Sequence, residues 1–377
     1  MKYNYVATCM FGLEKLLGAE IDALGLNRTF TMDGRVFFSG NEFDCARANI
    51  NLRTAERVYI LVGEPFEAST FDELFEGCAS IEWENYILPN SSFPVSGHSI
   101  KSALTSIPNC QKIIKKATAV RLGKKYGLSI LPEDGELCKI EFFLFKNTAY
   151  LMIDTSGVAL HKRGYRPVAN AAPLRETLAA GLALTARIKP DIFLWDPFCG
   201  SGTIAIEGAM IATQRAPGIY RNFSGEELSF IPSDSWKNAR EEALSKIITT
   251  SEYRGYASDI NPDCIDTAIS NADRAGVGKF IKFFVADAQN ISKPTFDCRG
   301  TLICNPPYGE RMMSMKDAEN LYRNIGKCFA NMAPWQIYIL TSCEYFERLY
   351  GRKADRIRKL YNGTIPSFLY QFFKPQR

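Results

Sequence analysis

Residues 192–203 read Ile-Phe-Leu-Trp-Asp-Pro-Phe-Cys-Gly-Ser-Gly-Thr, an apolar run that ends on an aspartate and passes directly into a glycine-rich turn. The apolar run is typical of a buried strand, and the residues after Thr203 predict a helix to about Thr213. Glycine lets a backbone approach a ligand closely, and amides at a helix start can face polar ligand atoms. The candidate ligand contacts are therefore Asp196, Phe198, Gly200, Gly202 and Thr203.

The residues on either side alternate between strand-like and helix-like segments, which is typical of a parallel sheet covered by helices on both faces. Asn362-Gly363 predicts the turn of an antiparallel hairpin near the end of the chain. Residues 171–377 are therefore predicted to form an α/β domain with a seven-stranded sheet in which one strand is reversed. The predicted strands are 192–196, 253–259, 280–286, 301–305 and 336–341, followed by 356–361 and 367–373.

Two further predicted strands also end on acids. Asp259 can accept ribose hydroxyls, and Asp287 can contact an adenine edge, because open α/β sheets bind ligands at the carboxyl ends of their strands. Each acid can instead cap the helix that follows it. A dinucleotide-dehydrogenase fold expects its ribose-binding acid about 20 residues after the glycines. That fold is disfavoured, since Asp259 lies 63 residues after Asp196 and an insertion at 215–252 fills the gap.

The most specific motif is Asn305-Pro306-Pro307-Tyr308-Gly309, directly after a predicted strand. A planar exocyclic amine is a poor nucleophile because its lone pair is delocalised into the ring. The Asn305 amide oxygen and the Pro306 carbonyl can accept its two hydrogens and hold the nitrogen in line with an electrophilic methyl group. The prolines fix φ, and Tyr308 offers a ring face to a base turned out of its stack. The motif predicts a methyl-transfer site, with a plain strand-to-helix turn as the alternative.

The amino-terminal part is predicted to contain two α+β units, residues 1–65 and 66–155, and an ordered linker, residues 156–170. Residues 85–132 hold seven cations and no Asp or Glu. Charge alone is typical of a solvated lysine face, and the absence of compensating acids strengthens the alternative of a polyanionic partner. A helix from about 109 to 126 is expected to bury Ile113, Ile114, Ala117 and Val120. The candidate nucleic-acid contacts are Lys101, Lys112, Lys115, Lys116, Arg121, Lys124 and Lys125, with Lys162, Arg163 and Arg166 in the linker, where a surface turn without a binding role is the alternative.

The overall composition is that of a folded globular protein. The 377 residues are 46% hydrophobic and 23% charged, with a net charge of +4, and this length suits two or three units of about 150 residues. The 11 cysteines include no CxxC pair, and there are two histidines, His98 and His161. A zinc site, a disulfide framework and histidine-based catalysis are therefore not expected. With no signal-peptide core at the start, the cytoplasm is the expected compartment.

These motifs resemble those of class I S-adenosylmethionine-dependent methyltransferases, and specifically the THUMP-domain RNA guanine-N2 methyltransferases. Residues 196–203 resemble the family's cofactor motif, 305–308 its target-amine motif, 160–166 its interdomain segment and 96–122 its THUMP core. The resemblance implies a Rossmann-like α/β catalytic domain preceded by an α+β ferredoxin-like and THUMP region, with S-adenosylmethionine as the cofactor. It also implies site roles: Asp196, Gly200 and Gly202 at the methionine portion, Asp259 at the ribose, Asp287 at the adenine, and Asn305, Pro306, Pro307 and Tyr308 at the target base, with Ile260 and Ala288 as further cofactor contacts.

The substrate implied by the resemblance is RNA. Similarity to the first catalytic half of the enzymes that methylate one guanosine of 23S ribosomal RNA makes that RNA the expected substrate. Three other reactions fit the motif at 305–308 and stay open: guanine-N2 methylation of tRNA, adenine-N6 methylation of DNA and glutamine methylation of a protein. A non-catalytic RNA-binding assembly factor is a further alternative. The insertion at 215–252, with Arg221 and Trp236, can either grip RNA or cover the sheet. The sequence does not decide the oligomeric state.

Overall fold

The computed structural model describes residues 2–167, 174–295, 299–308 and 315–373. Gly309 and residues 168–173, at the junction of the predicted linker with the carboxyl-terminal domain, lie outside this part of the chain. The described strands form two sheets, one of eight strands in the amino-terminal part and one of seven in the carboxyl-terminal part. The predicted α/β domain preceded by α+β units is confirmed.

The amino-terminal sheet has the strand order β2-β3-β1-β4-β8-β7-β6, with the short β5 paired to β8. Its strands are β1 (Tyr3–Cys9), β2 (Asn27–Met32), β3 (Arg35–Gly40), β4 (Ala55–Leu61), β5 (Phe66–Glu67), β6 (Val95–Ile100), β7 (Ile140–Phe145) and β8 (Thr148–Asp154). Its helices are α1 (Glu14–Ala23), α2 (Glu42–Asn51), α3 (Phe71–Ser80) and α4 (Ile107–Tyr126), and a short 3₁₀ helix spans Trp83–Asn85.

Local sequence explains where these helices begin and end. Asn41 and Thr70 form capping boxes with the acids three residues later, which satisfies backbone amides at the starts of α2 and α3. Helix α4 begins with a proline in its first turn and ends at Gly127 in the left-handed region. Cross-strand pairs of β4 with β8, such as Ile60 with Ile153, join the two predicted α+β units into one sheet.

The predicted buried stripe of α4 is corrected at one position, Val120, which is 51% exposed. The residues that are buried are Cys110, Ile114, Ala117, Thr118 and Leu122. At about 100° per residue, the buried arc is therefore centred near Ile114 and Thr118, and Val120 lies on the far side of the helix. The partly buried Arg121 falls on the inner side of the same helix.

The carboxyl-terminal sheet has the order β11-β10-β9-β12-β13-β15-β14, and β15 runs antiparallel to both of its neighbours. The predicted sheet with one reversed strand is confirmed. Its strands are β9 (Phe193–Asp196), β10 (Gly255–Asp259), β11 (Ile281–Val285), β12 (Gly300–Cys304), β13 (Gln336–Thr341), β14 (Arg356–Asn362) and β15 (Ile365–Phe372). The helices are α5 (Glu176–Thr185), α6 (Thr203–Ala212), α7 (Ser233–Ser245), α8 (Pro262–Arg274), α9 (Met315–Ala330) and α10 (Phe346–Tyr350), with 3₁₀ helices at Ser224–Glu226, Gly278–Phe280 and Ala288–Asn290.

The insertion at 215–252 packs against the amino-terminal domain. Trp236 on α7 is buried and stacks on Phe223 with ring centroids 5.2 Å apart, inside the core that the amino-terminal helices share. Glu242 on the same helix pairs with Arg47 of α2 at 2.9 Å. Arg221 donates to the carbonyl of Ala159 at 2.9 Å. Trp236 therefore fixes the insertion in the amino-terminal core, and Arg221 ties the insertion to the linker.

Candidate functional site

The candidate site lies at the carboxyl edge of three adjacent parallel strands. Strand β9 lies between β10 and β12, so that Asp196, Asp259 and Asn305 all emerge at the same edge of the sheet. This is the edge at which open α/β sheets bind ligands. The structure thus brings together residues from a stretch of more than 100 positions in the sequence.

The glycine-rich loop is anchored to β10. The backbone amide of Cys199 donates to the carbonyl of Ser258 at 3.0 Å, and the amide of Gly200 donates to Oδ2 of Asp259 at 2.9 Å. Gly200 has φ +49°, and a Cβ built on it would meet nothing within 4 Å. The backbone is therefore open toward the edge of the sheet at this residue, as a ligand-binding loop requires.

Gly202 serves a different purpose from the one the sequence suggested. It has φ +82° at the start of α6, and a Cβ there would lie 3.0 Å from Cβ of Ala268 on α8. The close approach is thus to a neighbouring helix, and the expected ligand clearance holds for Gly200 alone. Thr203, also predicted to contact the ligand, is buried, and its hydroxyl accepts from Nη1 of Arg166 at 3.0 Å.

Asp196 is a buried carboxylate that forms no ion pair with any described residue. Its Oδ1 accepts from the amide of Phe198 at 3.1 Å, and Phe198 itself packs half-buried against the cluster around Trp195. Burial, and then the nearby charge of Asp259, raises the pKa of Asp196 well above its usual value. A carboxyl group held in this way fits a positively charged ligand group, which would supply the missing partner.

Asp259 and Asp287, the other two predicted cofactor acids, differ in the hydrogen bonds that their carboxylate oxygens accept. Oδ1 of Asp259 accepts from the amide of Asn261 at 3.0 Å, and Ile260 between them is 68% exposed at the sheet edge. Asp287 caps a 3₁₀ turn, because its Oδ1 accepts from the amide of Gln289 at 2.9 Å. The capping alternative therefore applies to Asp287. The side chain of Ala288 is buried in the core and unavailable to a ligand.

The backbone turn at residues 305–308, called the corner from here on, is held by hydrogen bonds from two sides. The hydroxyl of Tyr322 on α9 donates to the carbonyl of Pro307 at 3.2 Å and lies 2.9 Å from Oγ1 of Thr341. Nδ2 of Asn362, the last residue of β14, lies 3.4 Å from the hydroxyl of Tyr308. Pro306 is buried, whereas Pro307 and Tyr308 are half-buried. These contacts were not predicted from the sequence, because no signal near Tyr322 or Asn362 in the sequence marks either residue as a neighbour of the motif.

Oδ1 of Asn305 is buried and has no hydrogen-bond partner among the described residues. An unpaired buried acceptor is costly, and such atoms in folded proteins point to a ligand or a catalytic role. Here the orphaned oxygen lies on a braced corner, at the same edge as Asp196 and the open backbone of Gly200. The arrangement can hold the donor hydrogens of an amine beside a bound cationic ligand.

The structure corrects the prediction for two linker cations, Arg163 and Arg166. The guanidinium of Arg163 is buried, with Nε 3.4 Å from Oε1 of Glu207 and Nη1 donating to the carbonyl of Leu160 at 2.6 Å. Nη2 of Arg166 lies 3.0 Å from Oε1 of Glu176, and both side chains are buried. These cations are used inside the protein to bind the linker to the catalytic domain, and only Lys162 of the three predicted linker cations stays exposed.

The basic surface around α4 is partly neutralised by acids just outside the acid-free window. Arg121 pairs with Glu84 at 2.6 Å, an interaction that lowers the pKa of Glu84 to about 2. Lys125 lies 3.6 Å from the same carboxylate, and Lys115 pairs with Glu133 at 2.5 Å. The predicted contacts that remain exposed without a described ion pair are Lys101, Lys112, Lys116 and Lys124.

The described residues contain neither a cluster of metal ligands nor a membrane-spanning helix. No group of three or more His, Cys, Asp or Glu side chains in that part of the chain could hold a metal ion. None of the helices described there is long and apolar enough to cross a membrane.

Three family models match the chain. The model described as "RMKL-like, methyltransferase domain" matches residues 163–371, "RlmL ferredoxin-like domain" matches 4–59, and "THUMP domain" matches 68–154. Among curated relatives, "Putative RNA methyltransferase YpsC" of Bacillus subtilis is 41% identical over 100% of this chain and 98% of its own length. "Ribosomal RNA large subunit methyltransferase K/L" of Psychromonas ingrahamii is 33% identical over 99% of this chain and 51% of its own length. The chain thus spans about half the length of the K/L relatives that it matches.

Solved structures are similar along the whole chain. A "possible methylase" from Clostridium difficile 630 has a TM-score of 0.96 and 42% identity, covering 100% of this chain and 99% of its own. A "predicted N6-adenine-specific DNA methylase" from Listeria monocytogenes has a TM-score of 0.93 and 42% identity over 100% and 97%. SMU.472, "a putative methyltransferase complexed with SAH", has a TM-score of 0.92 and 40% identity over 100% and 99%.

Proposed function

Because the chain belongs to the RMKL-like family of S-adenosylmethionine-dependent RNA methyltransferases, we propose that it methylates the exocyclic N2 amine of a guanosine, with 23S ribosomal RNA as the substrate. S-adenosylmethionine is the methyl donor, in keeping with the structural relative SMU.472, which is complexed with S-adenosylhomocysteine. Transfer to an exocyclic amine rests on the site at Asn305, and the choice of guanine N2 rests on the resemblance to the THUMP-domain RNA guanine-N2 methyltransferases. The choice of ribosomal RNA rests on the names of the K/L relatives.

The observation that carries the proposal is the orphaned Oδ1 of Asn305, a buried acceptor that no described residue satisfies. Two acceptors, this oxygen and the Pro306 carbonyl, match the two hydrogens of an exocyclic amine. Hydrogen bonds to both would fix the direction of the nitrogen lone pair and stabilise the positive charge that develops as the new bond forms. The brace from Tyr322 holds the corner before the substrate arrives, so little reorganisation is needed.

Three residues at the sheet edge are proposed to hold the cofactor. When bound, S-adenosylmethionine supplies an electrophilic methyl group on a positively charged sulfur. Asp196 fits the positively charged methionine end, because its buried carboxylate forms no ion pair with a described residue. Asp259 is held in position by the amides of Gly200 and Asn261 and would accept from the ribose. The exposed Ile260 would cover one face of the adenine.

The amine must lose a proton once it carries the new methyl group. Neither histidine is placed to take it: His98 lies on β6 of the amino-terminal sheet, and Nδ1 of His161 lies 2.8 Å from Glu56. Asn305 and Pro306 offer neutral acceptors that orient the protons without removing them. We therefore expect the proton to leave to water after the methyl transfer, without help from a strong base among the described residues.

A second candidate, adenine-N6 methylation of DNA, is favoured by the similarity to the Listeria protein, which is described as a predicted N6-adenine-specific DNA methylase. An adenine amine would fit the same two acceptors. The THUMP match at 68–154 and the RNA methyltransferase names of the curated relatives favour RNA over DNA. Methylation of tRNA and a purely structural role in RNA assembly are distinguished from the proposal by the same experiment.

The test supplies labelled S-adenosylmethionine with ribosomal RNA from cells that lack the gene, with tRNA and with duplex DNA. The product nucleoside is identified by mass spectrometry. Asn305→Ala should lower the rate at least about 100-fold, by analogy with the loss of one oxyanion-hole donor, and leave S-adenosylhomocysteine binding intact. Asn331→Ala, the same change at an exposed position of the catalytic domain, should keep the wild-type rate.

The outcomes separate the candidates. N2-methylguanosine in ribosomal RNA supports the proposal, whereas the same nucleoside in tRNA alone or N6-methyladenine in DNA replaces its substrate. Equal incorporation by wild type and Asn305→Ala refutes the role of the corner. Cofactor binding without transfer to any acceptor favours the assembly factor.

A further inference from the structure

Arg166 lies buried between the linker, the start of α5 and residues 199–203, here called the cofactor loop. Its side chain is 8% exposed, and that of its ion-pair partner Glu176 is 4% exposed. Nη2 lies 3.0 Å from Oε1 of Glu176. Nη1 donates to the carbonyl of Leu174 at 3.1 Å and to Oγ1 of Thr203 at 3.0 Å. One guanidinium therefore joins α5 to the last residue of the cofactor loop.

The three contacts of Arg166 depend on the shape of an arginine side chain. Nη1 carries two hydrogens, and the Leu174 carbonyl and the Thr203 hydroxyl accept one each. Nη2 lies in the same plane and faces the carboxylate, so the planar group fixes the distances between all three partners. A lysine ammonium is a point charge on a flexible stem and fixes no such geometry. Arg166 thus acts as a rigid spacer.

The ion pair with Glu176 orients this spacer. Oε2 of Glu176 is buried and has no hydrogen-bond partner among the described residues, and burial raises the pKa of this carboxyl group. A buried ion pair contributes little net stability, because the loss of hydration offsets the attraction between the charges. What the pair does supply is a fixed direction for the guanidinium, so that Nη1 points at Thr203.

Thr203 transmits the contact to the part of the loop that faces the ligand. It is the first residue of α6 and is buried, and its Oγ1 lies 3.3 Å from Oγ of Ser201, which is also buried. Gly200, whose backbone is open toward the edge of the sheet, directly precedes Ser201. A shift of Thr203 would therefore move the backbone beside the proposed methionine end of the cofactor.

The cofactor loop is held by two separate sets of contacts. Strand β10 and helix α8 hold residues 199–201 by hydrogen bonds to two of their amides and to the carbonyl of Ser201. The last residue of the loop is held by Arg166, from a segment outside the catalytic sheet. That segment is joined to the amino-terminal domain, since the amide of Leu160 donates to the carbonyl of Glu56 at 2.8 Å. The second set therefore links the cofactor loop to the docking of the two domains.

We propose that Arg166 is a positioning residue for the cofactor: through Thr203 it holds the cofactor loop in the conformation that binds the methionine portion of S-adenosylmethionine. The inference rests on the proposed function in one respect, the placement of the methionine portion beside Asp196 and Gly200. Arg166 acts through Thr203 and need not touch the cofactor. The hydroxyl of Thr203, predicted from the sequence as a ligand contact, is used inside the protein to receive this bond.

Calorimetric titration of the full chain with two ligands tests the proposal. S-adenosylhomocysteine contains the methionine portion, whereas methylthioadenosine keeps the adenosine and the sulfur but lacks the amino and carboxylate groups. Arg166→Met should weaken binding of S-adenosylhomocysteine about tenfold or more, the effect of losing a hydrogen bond from a charged donor. The affinity for methylthioadenosine should change less than about twofold, because the proposed contacts at Asp259 and Ile260 lie outside this set of bonds.

Variants of Thr203 test whether Arg166 acts through it. Thr203→Val removes the acceptor with little change of shape, and it should weaken S-adenosylhomocysteine binding about as much as Arg166→Met does. Thr203→Ser keeps the hydroxyl and should stay within about threefold of the wild-type affinity. The double variant of Arg166→Met and Thr203→Val should bind about as well as Arg166→Met alone, because both changes remove the same bond. Additive losses would refute action through Thr203.

Arg163→Met is the matched control. Arg163 also forms a buried ion pair from the linker, with Nε 3.4 Å from Oε1 of Glu207, but none of the contacts described for it is with residues 199–203. This variant should lose stability and keep the wild-type affinity for S-adenosylhomocysteine at temperatures where it is folded. A loss of affinity equal to that of Arg166→Met would show a general effect of linker damage and would overturn the inference.

Thermal unfolding identifies the variants that fold. Arg166→Met leaves the carboxylate of Glu176 buried without its cation, so it is also made together with Glu176→Gln, which removes that charge. The double variant should have the same weak affinity for S-adenosylhomocysteine as Arg166→Met. Thr203→Val changes no charge, so it tests the proposal even if both Arg166 variants fail to fold.

Steady-state methylation of RNA gives a separate readout. Arg166→Met should raise KM for S-adenosylmethionine and leave kcat within about threefold of wild type, because none of the described contacts of Arg166 is with the corner. A fall in kcat at unchanged KM overturns the inference. So does wild-type affinity for S-adenosylhomocysteine in both Arg166→Met and Thr203→Val, or an equal loss of affinity for the two ligands.

Failure of the proposed function looks different from failure of this inference. If the wild-type protein transfers no methyl group to any RNA, but Arg166→Met still binds S-adenosylhomocysteine more weakly, the activity is refuted and the role of Arg166 stands. If the wild-type protein methylates RNA and the Arg166 and Thr203 variants bind S-adenosylhomocysteine as it does, the role of Arg166 is refuted and the activity stands.

Discussion

Replacing Gly200 and Gly202 by alanine separates the glycine proposed to make room for the cofactor from the one that makes room for a helix. At Gly200 a Cβ meets nothing within 4 Å, so Gly200→Ala costs only the left-handed backbone strain, about 1 kcal/mol of unfolding free energy. At Gly202 the Cβ lies 3.0 Å from Cβ of Ala268. The same strain then adds to overpacking of about 1–3 kcal/mol, which gives a total of about 2–4 kcal/mol.

The effects on cofactor affinity should be the reverse, with the larger loss in Gly200→Ala and little loss in Gly202→Ala. The new methyl group of Gly200→Ala enters the open space beside the loop, so that it displaces the ligand, and S-adenosylhomocysteine should bind about tenfold more weakly or worse, a loss of roughly 1.4 kcal/mol. Gly202→Ala adds its methyl group against α8, away from the ligand. Its affinity should stay near the wild-type value at temperatures where the variant is folded.

The assay combines urea denaturation of the cofactor-free proteins with calorimetric titration of S-adenosylhomocysteine. Greater destabilisation by Gly200→Ala than by Gly202→Ala would contradict the packing argument. Wild-type affinity in Gly200→Ala would contradict the location of the cofactor, since the open space over that residue would then have no ligand in it. The two results are independent because one concerns the protein alone and the other concerns the complex.

Two further predictions concern buried charges. Because burial raises the pKa of Asp196 in the folded state, its contribution to stability is full below the unfolded pKa near 3.8 and is lost as the pH rises through the folded pKa. Asp196→Asn should therefore make the cofactor-free protein more stable than wild type at neutral pH, and parallel pH profiles of unfolding would refute this. Arg163→Met, which removes the ion-pair partner of the buried Glu207, should lower the unfolding free energy by about 3–5 kcal/mol. Adding Glu207→Gln should recover part of that loss in urea denaturation, and an additive double variant would refute the pairing.

The catalytic sheet could be predicted from sequence because each of its strands carries a local signal. An apolar run that ends on a polar or turn-forming residue marks β9 and β12, and Asn-Gly marks the last hairpin. The edges of the amino-terminal sheet carried no such signal. Strand β2 is exposed along most of its length, and β6 contains Gly97 and polar residues. The joining of two predicted units into one sheet depends on β4 pairing with β8, about 90 residues away in the chain.

The same distinction between local and distant signals applies to the site. Asp196, Asp259 and Asn305 were found because each stands at the end of a strand. Tyr322 and Asn362 were missed because their contacts with the corner arise only when α9 and the last hairpin pack beside it. Arg163 and Arg166 were misassigned for a related reason. The sequence does not reveal whether a cation pairs with a buried acid that is distant in the chain. Here Arg163 pairs with Glu207, and Arg166 pairs with Glu176.

The buried ion pairs of the linker and the packing of the insertion hold the two domains together. Arg166 touches both Thr203 at the cofactor loop and Glu176 on α5, while Trp236 fixes the insertion in the amino-terminal core. Buried ion pairs and ring packing resist sliding, because each contact is lost entirely when the geometry shifts. The amino-terminal domain is therefore held at a set position relative to Asn305. Under the proposed function, an RNA that contacts both the amino-terminal domain and the site at Asn305 must place its target base at a fixed distance from its bound segment, so that the docking of the domains, in addition to the chemistry at Asn305, selects which nucleotide is methylated.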